Sequence, residues 1–600
     1  MTKRMNPVSR LTPACQRLFQ QLHSLLEQRS SVAVICALAT TVLAACTSTP
    51  LPPWVPQALK TTSANADASN TAAQTTAPAA SAVPSLVQTF PVAPPTSLSP
   101  QSSPQTTAEN AAISARFPPP SGSYSTPGLQ PGRSSFTTHA ESSAWLHTQA
   151  QAAKGIAAAV IPIGRSQRGQ QLEALVVSRS GGIDPASLVG NGRPTVLLLG
   201  QNSPEEPAAT EALLVMAREL TQGLLRPNLD RINVIVLPFA NADTPNGPAA
   251  NQDHLALTSG ESQAVATLVR DYRPAVVVDV REYEAGGTPN RFTTKFGAVQ
   301  KFDLLFQYAM TPNTPELLTR ASEEWFRRPL LTAMKNQQLS MEWAYTNPAD
   351  PDDKKLSMGN PQPDAIRNVS ALKNSIGLLV QSRGAGLGRQ HIQRRVLTQV
   401  TALSSVLAST ATRAADLVQV QAFFDKEVSA LACKGEAVVL ASAVAAQYDL
   451  QVLDPLSGTD KVINVDWDSS LALNRISVRS RPCGYWLSAT ASPAVDRLLM
   501  HGVKVQKVQE RGAVLADSFR DSAAGSSPGG TPASVRPSRG LLDIPRGSFY
   551  VPLSQPLANL VIAALEPDTP FSYSTQRLVP DLQSSARIMA PPMFKLEDLP

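Results

Sequence analysis

Cysteine, histidine and aromatic residues are scarce in this chain, and no long apolar run repeats along it. Its 600 residues include 5 cysteines and 6 histidines, and aromatic residues make up 5%. So few cysteines exclude a disulfide-rich scaffold, and the lack of repeated apolar runs excludes a polytopic membrane protein. Composition also excludes collagen and coiled coils. The 42% of hydrophobic residues is enough for folded domains, so the chain is not disordered throughout.

A strong positive charge is also lacking once the amino terminus is set aside. The formal net charge is +6, but the first 45 residues hold five cations and one anion. The remainder has 47 cationic and 45 acidic residues, a net charge of +2. A nearly neutral chain does not present the basic surface that nucleic acids require, so we expect no nucleic-acid partner.

The amino terminus has the pattern of an export signal. Cationic residues precede the apolar stretch Val32–Ala45, which is too short for a membrane span of about 20 residues. The stretch ends in Leu43-Ala-Ala-Cys46, which resembles a bacterial lipobox. This resemblance implies a signal peptide over residues 1–45 and a lipid anchor at Cys46. The alternatives are a plain signal peptide with a chance cysteine, or a short uncleaved anchor.

The lipobox implies a place in the cell envelope. Thr47 follows the cysteine, and resemblance to Gram-negative lipoproteins favours the outer membrane, facing the periplasm. Residues 46–138 are rich in Ala, Ser, Thr, Pro and Gln, and we predict a disordered linker there. Only Cys433 and Cys483 would remain as thiols, and they either pair in the exported chain or stay free.

An α/β domain is predicted over residues 139–420. Short apolar runs alternate with helical patterns, which indicates an at least partly parallel sheet flanked by helices. Sites in such sheets collect at the carboxyl ends of strands, here after Gly200, Val280 and Val380. Residues 421–600 read as a smaller β-rich or α+β domain.

Several segments occur in an order that resembles the zinc metallocarboxypeptidase family, of the carboxypeptidase A type. Its motif H-G-N-E-P resembles the stretch Gly200–Pro207, N-R-D-H resembles Asn251–His254, V-V-D-x-H-E-Y resembles Val276–Tyr283, and L-V-E-T-R-G resembles Leu379–Gly384. Segments near residues 164–169, 238–244, 481–485 and 547–551 also resemble the family, the last two a C-terminal domain of its bacterial lipoprotein branch. The resemblance implies a carboxypeptidase-like mixed sheet.

The residues at the functional positions depart from that family. The resemblance places Ser203, Glu206 and Arg281 at the three zinc-ligand positions, where the family has His, Glu and His. Gln381 stands at the position of the general-base Glu. For binding the substrate carboxylate, Asn251 is retained, but Gln252 replaces an arginine.

These substitutions predict a degenerate site. Catalytic zinc needs three protein ligands and an open position, and a guanidinium has no lone pair to donate. An amide side chain cannot act as the general base. We therefore expect no cofactor, and a pseudoenzyme that binds a peptide or a peptidoglycan fragment. The alternative is an active zinc-dependent carboxypeptidase with atypical ligands.

Other catalytic patterns are weaker. No two histidines have the spacing of a helical metal site, although His254 and His391 both fall in family-like segments and could approach each other. Serine hydrolases place G-x-S-x-G at a strand–helix turn, and the stretch Gly164–Gly169 has the wrong spacing for it, while Ser203 at a strand end lacks an evident His–Asp pair.

The emptied ligand positions lead to a specific expectation. Without a metal, the carboxylate of Glu206 needs another partner, and a guanidinium can bind a carboxylate through two hydrogen bonds. We expect an Arg281–Glu206 ion pair in the metal's place, with Ser203 and Gln381 hydrogen-bonding around it. Alternatively, Arg281 faces solvent or pairs with Glu282 or Glu205.

Overall fold

The computed structural model describes residues 110–200, 206–241, 243, 253–285, 298–346, 355–521 and 535–599. The signal segment, Cys46, Ser203, Asn251 and Gln252 lie outside these residues. All described residues belong to one compact unit. None of the described helices is both long and apolar enough to cross a membrane.

Twenty strands and twelve α-helices are found in the described residues. The strands are β1 Ala157–Arg165, β2 Gln171–Ser178, β3 Thr195–Gly200, β4 Asn233–Leu237, β5 Val276–Glu284, β6 Val299–Gln300, β7 Leu304–Tyr308, β8 Met341–Trp343, β9 Tyr345–Thr346, β10 Lys355–Met358, β11 Ile376–Ala385, β12 Glu436–Leu453, β13 Asp460–Ser480, β14 Gly484–Leu487, β15 Gln506–Val508, β16 Gly512–Asp521, β17 Val535–Ile544, β18 Phe549–Pro552, β19 Ser585–Ile588 and β20 Leu596–Asp598. The helices are α1 Ala111–Ser114, α2 His139–Ala152, α3 Pro185–Gly190, α4 Pro207–Thr221, α5 Gly260–Tyr272, α6 Glu316–Ala321, α7 Arg328–Asn336, α8 Ile366–Leu372, α9 Ile392–Thr412, α10 Ala414–Ala430, α11 Ser492–His501 and α12 Ala558–Leu565.

The first sheet has eight strands in the order β1-β2-β4-β3-β5-β11-β7-β8. Its four central strands, β4, β3, β5 and β11, are parallel, and antiparallel pairings join them to β2 and β7. The carboxyl ends of β3, β5 and β11 therefore meet at one edge, as the sequence predicts. This edge carries the candidate site.

Both faces of this sheet are buried, which explains the unbroken apolar runs of its central strands. Val196 and Leu198 of β3 pack with α4 and α9 on one face, and Leu197 and Leu199 pack with α5 on the other. Burial on two faces is typical of parallel strands between helices. The mixed α/β architecture of the sequence analysis is thus confirmed.

Two further sheets complete the described structure. The second has the order β6-β12-β13-β10-β9, and the third β17-β16-β19-β14-β18-β15-β20. The strand-rich texture predicted for residues 421–600 is present, although the expected boundary at residue 420 falls inside α10. A disulfide joins Cys433 and Cys483, which resolves the alternative left open by the sequence.

Residues 110–138 differ from the predicted disordered linker, because they pack on the body. The hydroxyl groups of Thr126 and Thr137 donate hydrogen bonds to the buried carboxylate of Glu211. Asn110 and Arg116 donate to backbone carbonyls of the β12–β13 turn, from Pro455 to Gly458. The segment is polar, and its order comes from contacts distant in sequence, which composition does not reveal.

Candidate functional site

Strand β5 directs neighbouring side chains to opposite faces of the first sheet. Asp279 and Arg281 share the face that packs on α5, whereas Glu282 points to the face covered by α4 and α9. Alternation along a strand produces this separation. The polar residues at the end of β5 therefore make two separate ion pairs, one on each face of the sheet.

Arg281 and Glu206 form the expected ion pair. The Nη2 and Nε atoms of Arg281 donate to Oε1 of Glu206 at 2.8 Å and 3.1 Å, and Nε lies 3.3 Å from Oε2. The two side chains are 15% and 5% exposed. Glu206 immediately precedes α4, so the end of β5 is tied to the amino terminus of that helix.

Burial dominates the electrostatics of this pair. It raises the pKa of Glu206 to about 7, while the guanidinium of Arg281 opposes that rise. Burial alone would lower the pKa of Arg281, but the carboxylates of Glu206 and Asp279 raise it above its usual value. The carboxyl group of Glu206 thus depends on Arg281 to stay ionised.

Glu282 makes a separate buried ion pair that the sequence analysis did not identify. Its two oxygens accept hydrogen bonds from Nε and Nη2 of Arg395, both at 2.8 Å, and Oε2 also accepts one from the backbone N–H of Ala208. A Cβ at Gly384 would overlap both charged groups, so glycine is required there. A charged residue at the end of a buried strand is the only sequence signal of this contact.

Gln381 lies opposite Arg281 in the pairing of β11 with β5. The two positions therefore lie side by side at the carboxyl edge, as their strand positions predict. Among the described residues, no hydrogen bond joins Gln381 to the Arg281–Glu206 pair. That part of the expectation is not met there, and Ser203 lies outside the described residues.

A cavity of about 540 Å³ opens beside the ion pair. Arg281, Gln381 and Asp279 line it from the first sheet, and the second sheet contributes further polar residues such as Ser442. Arg367 also lines the cavity. It is 6% exposed, its Nη2 donates to a backbone carbonyl, and its Nε has no hydrogen-bond partner among the described residues.

The donor set at this site does not fit zinc. Glu206 supplies one carboxylate, but it is bonded to a guanidinium that has no lone pair. No group of three His, Cys, Asp or Glu side chains suited to a metal occurs in the described part of the chain.

The two histidines considered for a relocated metal site have different surroundings. His254 is buried, its backbone N–H donates to the carbonyl of Asp364, and burial lowers its pKa to about 4. His391 lies within hydrogen-bond distance of the Ser114 hydroxyl, with its ring against Phe117.

Comparisons with known proteins agree with the family resemblance of the motifs. No protein-family model matches the chain. Carboxypeptidase 2 of Trichophyton rubrum is 24% identical over 410 residues, which is 64% of this chain and 74% of the relative.

Among solved structures, a metallo-carboxypeptidase from Burkholderia cenocepacia aligns with a TM-score of 0.34 and 13% identity, covering 46% of this chain and 70% of that one. Carboxypeptidase A of Helicoverpa armigera has a TM-score of 0.34 and 12% identity, with 46% and 74% covered. The fungal relative and the ordered series of motifs lead to one conclusion: the chain is similar to carboxypeptidases.

Proposed function

We propose that this chain is a non-catalytic metallocarboxypeptidase relative that binds a peptide or a cell-envelope fragment without hydrolysing it. The observation that carries the proposal is the Arg281–Glu206 ion pair. A positive charge bonded to the only family-like carboxylate ligand takes up the electrostatic role of a metal. The hydrogen bonds from Arg281 also occupy the carboxylate lone pairs of Glu206 that a metal would need.

The second support is the residue beside the pair. Gln381 is an amide at the position where the resemblance places the general base, and an amide does not accept a proton from water near neutral pH. Metal binding and proton abstraction are thus both impaired, by different residues. Restoring only one of them would not restore hydrolysis.

The cavity beside the pair is suited to a polar ligand. Its volume of about 540 Å³ lies within the range of ligand pockets. The buried guanidinium of Arg367 is part of its lining, and a buried cation favours a ligand that supplies an oxygen acceptor. A peptide carbonyl or terminal carboxylate has this chemistry.

The lipobox at Cys46 adds a location to this proposal: a lipid anchor in the cell envelope, on the periplasmic side of the outer membrane. The disulfide between Cys433 and Cys483 supports an oxidising compartment. Mass spectrometry of the membrane fraction should find an acylated peptide beginning at Cys46. A soluble protein with another amino terminus would contradict the anchor.

Zinc content tests the loss of catalysis. Protein purified without chelators should contain far less than one zinc per chain and should release no amino acid from peptide substrates. One zinc per chain, with hydrolysis that stops when the metal is removed, would establish the active alternative and overturn the proposal.

Peptide binding tests the retained role. A labelled tetrapeptide with a free carboxyl terminus should bind more tightly than its amide, as measured by fluorescence anisotropy. Arg367→Gln should weaken binding about tenfold, the loss expected for one charge-assisted hydrogen bond. Arg511→Gln is the matched control, because Arg511 is exposed and pairs only with the equally exposed Asp543 in the described structure. Equal affinity of all three proteins for the peptide would contradict this role.

A further inference from the structure

A second cavity, of about 240 Å³, lies away from the family site and shares no lining residue with it. The carboxyl end of α5 and the turn before β11 form one side, with residues such as Arg270 and Lys373. The end of α11 and the segment 555–557 form the other. Its volume equals that of roughly eight waters at about 30 Å³ each, which suits a small ligand.

Positive charge predominates in the lining of this cavity. Arg270, Arg273 and Lys504 contribute three cationic groups, and Lys373 a fourth when it is protonated, against the single carboxylate of Asp425. Asp425 is already engaged, since it accepts hydrogen bonds from Arg273 at 2.6 Å and from the side chain of Asn374 at 2.9 Å. Arg270 pairs with Asp271 outside the lining.

Lys373 is the buried member of this group. It is 9% exposed, and its Nζ donates a 3.1 Å hydrogen bond to the backbone carbonyl of His501. No carboxylate forms a salt bridge with it among the described residues. An ammonium group has three donors, so one hydrogen bond leaves capacity for a ligand. Burial, and then the charge of Arg270, lowers the pKa of Lys373 to about 7.

The neighbouring histidines do not change the charge of the cavity. His501 is buried, its Nε2 lies 2.9 Å from the carbonyl of Leu255, and its Nδ1 has no partner in the described structure. That contact requires a proton on Nε2, so Nδ1 is an acceptor in the neutral ring. Burial lowers the pKa of His501 well below its usual value, and that of His254 to about 4. Both rings are neutral at pH 7.

We propose that this cavity binds a small oxyanion, with Lys373 as the central ligand and Arg270 and Lys504 as supporting charges. A buried ammonium group without a counter-ion is costly, which favours the neutral amine in the free protein, and a bound carboxylate, sulfate or phosphate group would supply that counter-ion. The site goes beyond the proposed peptide-binding function, because it involves none of the same residues.

Binding at this site should be coupled to proton uptake. With a pKa near 7, Lys373 is largely neutral at pH 7.5, whereas a bound anion favours the ammonium form. Sulfate does not titrate near neutrality, so any proton taken up must come from the protein. Uptake of about half a proton or more per sulfate is expected at pH 7.5.

Isothermal titration calorimetry of the full chain with sulfate, in two buffers of different ionisation enthalpy, tests both points. We expect saturable binding of one sulfate with proton uptake. Lys373→Met should weaken binding about tenfold and abolish the uptake, and Arg270→Gln should weaken it by a smaller factor. Lys507→Met is the matched control, because Lys507 is an exposed lysine on β15.

A parallel titration with succinate distinguishes a carboxylate site from one selective for tetrahedral anions, either of which supports the proposal. If neither anion gives a saturable isotherm, Lys373 only caps the carbonyl of α11 and the proposal fails. Binding of equal strength in the Lys373→Met and Lys507→Met proteins would also overturn it, and Arg270→Gln provides a second variant should Lys373→Met not fold.

Discussion

Two buried clusters of arginine and carboxylate side chains differ in whether they border a cavity. In the third sheet, the guanidinium of Arg587 donates to Glu566 at 2.8 Å and to Asp517 at 3.0 Å, and Tyr485 and Arg479 also donate to Glu566. None of these side chains has a buried polar atom without a partner. The Arg281–Glu206 pair instead borders a cavity that the guanidinium of Arg367 also lines.

The difference separates a structural cluster from a site. A network whose donors and acceptors are all satisfied has no chemistry left for a ligand, and it fixes the packing around it. A pair beside an open cavity, with a second guanidinium in the cavity lining, keeps capacity for binding. Both clusters contain arginines and carboxylates, so charge alone would not have distinguished them.

Disrupting the Arg587 cluster should have the largest effect on the free energy of unfolding. Arg587→Met removes the buried guanidinium that Glu566 and Asp517 share, whose side chains are 0% and 5% exposed, and should lower the free energy of unfolding by about 5 kcal/mol. Urea denaturation measures this. Arg511→Met, at an exposed pair, serves as the control and should change stability by less than about 0.5 kcal/mol. A loss at Arg587 as small as that of the control would show that the network is not stabilising.

Breaking the site pair should cost less. Arg281→Met leaves Glu206 buried without its partner and should lower the free energy of unfolding by about 3 kcal/mol. The double variant Arg281→Met with Glu206→Leu should recover most of that loss, because no charge is then left buried. A double-mutant cycle measured by urea denaturation gives the coupling. Additive losses would contradict a direct interaction.

The free energy of unfolding that is lost in Arg281→Met should also depend on pH. Removing Arg281 removes the influence that opposes the rise in the pKa of Glu206 beyond about 7. A carboxyl group whose folded pKa exceeds its unfolded value stabilises the fold below the unfolded pKa, and this contribution is lost as pH rises through the folded pKa. The cost of Arg281→Met should therefore be larger at pH 8 than at pH 5.5, by about 1 kcal/mol.

The control for this pH effect is the Glu206→Leu background, in which the cost of adding Arg281→Met should not depend on pH. A larger cost at pH 5.5 than at pH 8 would show that Glu206 is not the titrating group.

The smallest effect is expected at Gln381. Gln381→Glu supplies a carboxylate at the general-base position. Arg281 would still be bonded to Glu206, the only residue that matches the family's zinc ligands. No peptide hydrolysis should appear in an amino-acid release assay, with or without added zinc. Hydrolysis that requires added zinc would instead show that the base was the only missing element.

Sequence reasoning identified the fold and the ion pair because both follow from local patterns. Apolar runs such as Thr195–Gly200 and Ile376–Ser382 are buried strands. Glu206 follows β3 and Arg281 lies near the carboxyl end of the neighbouring β5, so the two residues must meet. In the sequence, an apolar pattern over residues 391–417 predicts one long helix, but the structure has two helices, α9 and α10, that meet at Arg413. The helical pattern continues across that residue, so it does not reveal the break.

The contacts that sequence reasoning missed join residues far apart in the chain. Glu282 and Arg395 are 113 positions apart, and Thr137 and Glu211 are 74 apart. Neither pair has a local pattern, because the partner is chosen by the way helices cover the sheet. The order of residues 110–138 was missed for the same reason.

The packing of residues 110–116 on the β12–β13 turn determines where a mechanical load would enter the protein. Asn110 and Arg116 hold this turn, and Gly458, with φ of +65°, lets the Ala112 carbonyl approach it closely. Tension applied through the amino terminus would reach the hairpin before α2. Because the Asn110 contacts there are exposed hydrogen bonds, they should break at a lower force than the buried hydrogen bond between Thr137 and Glu211.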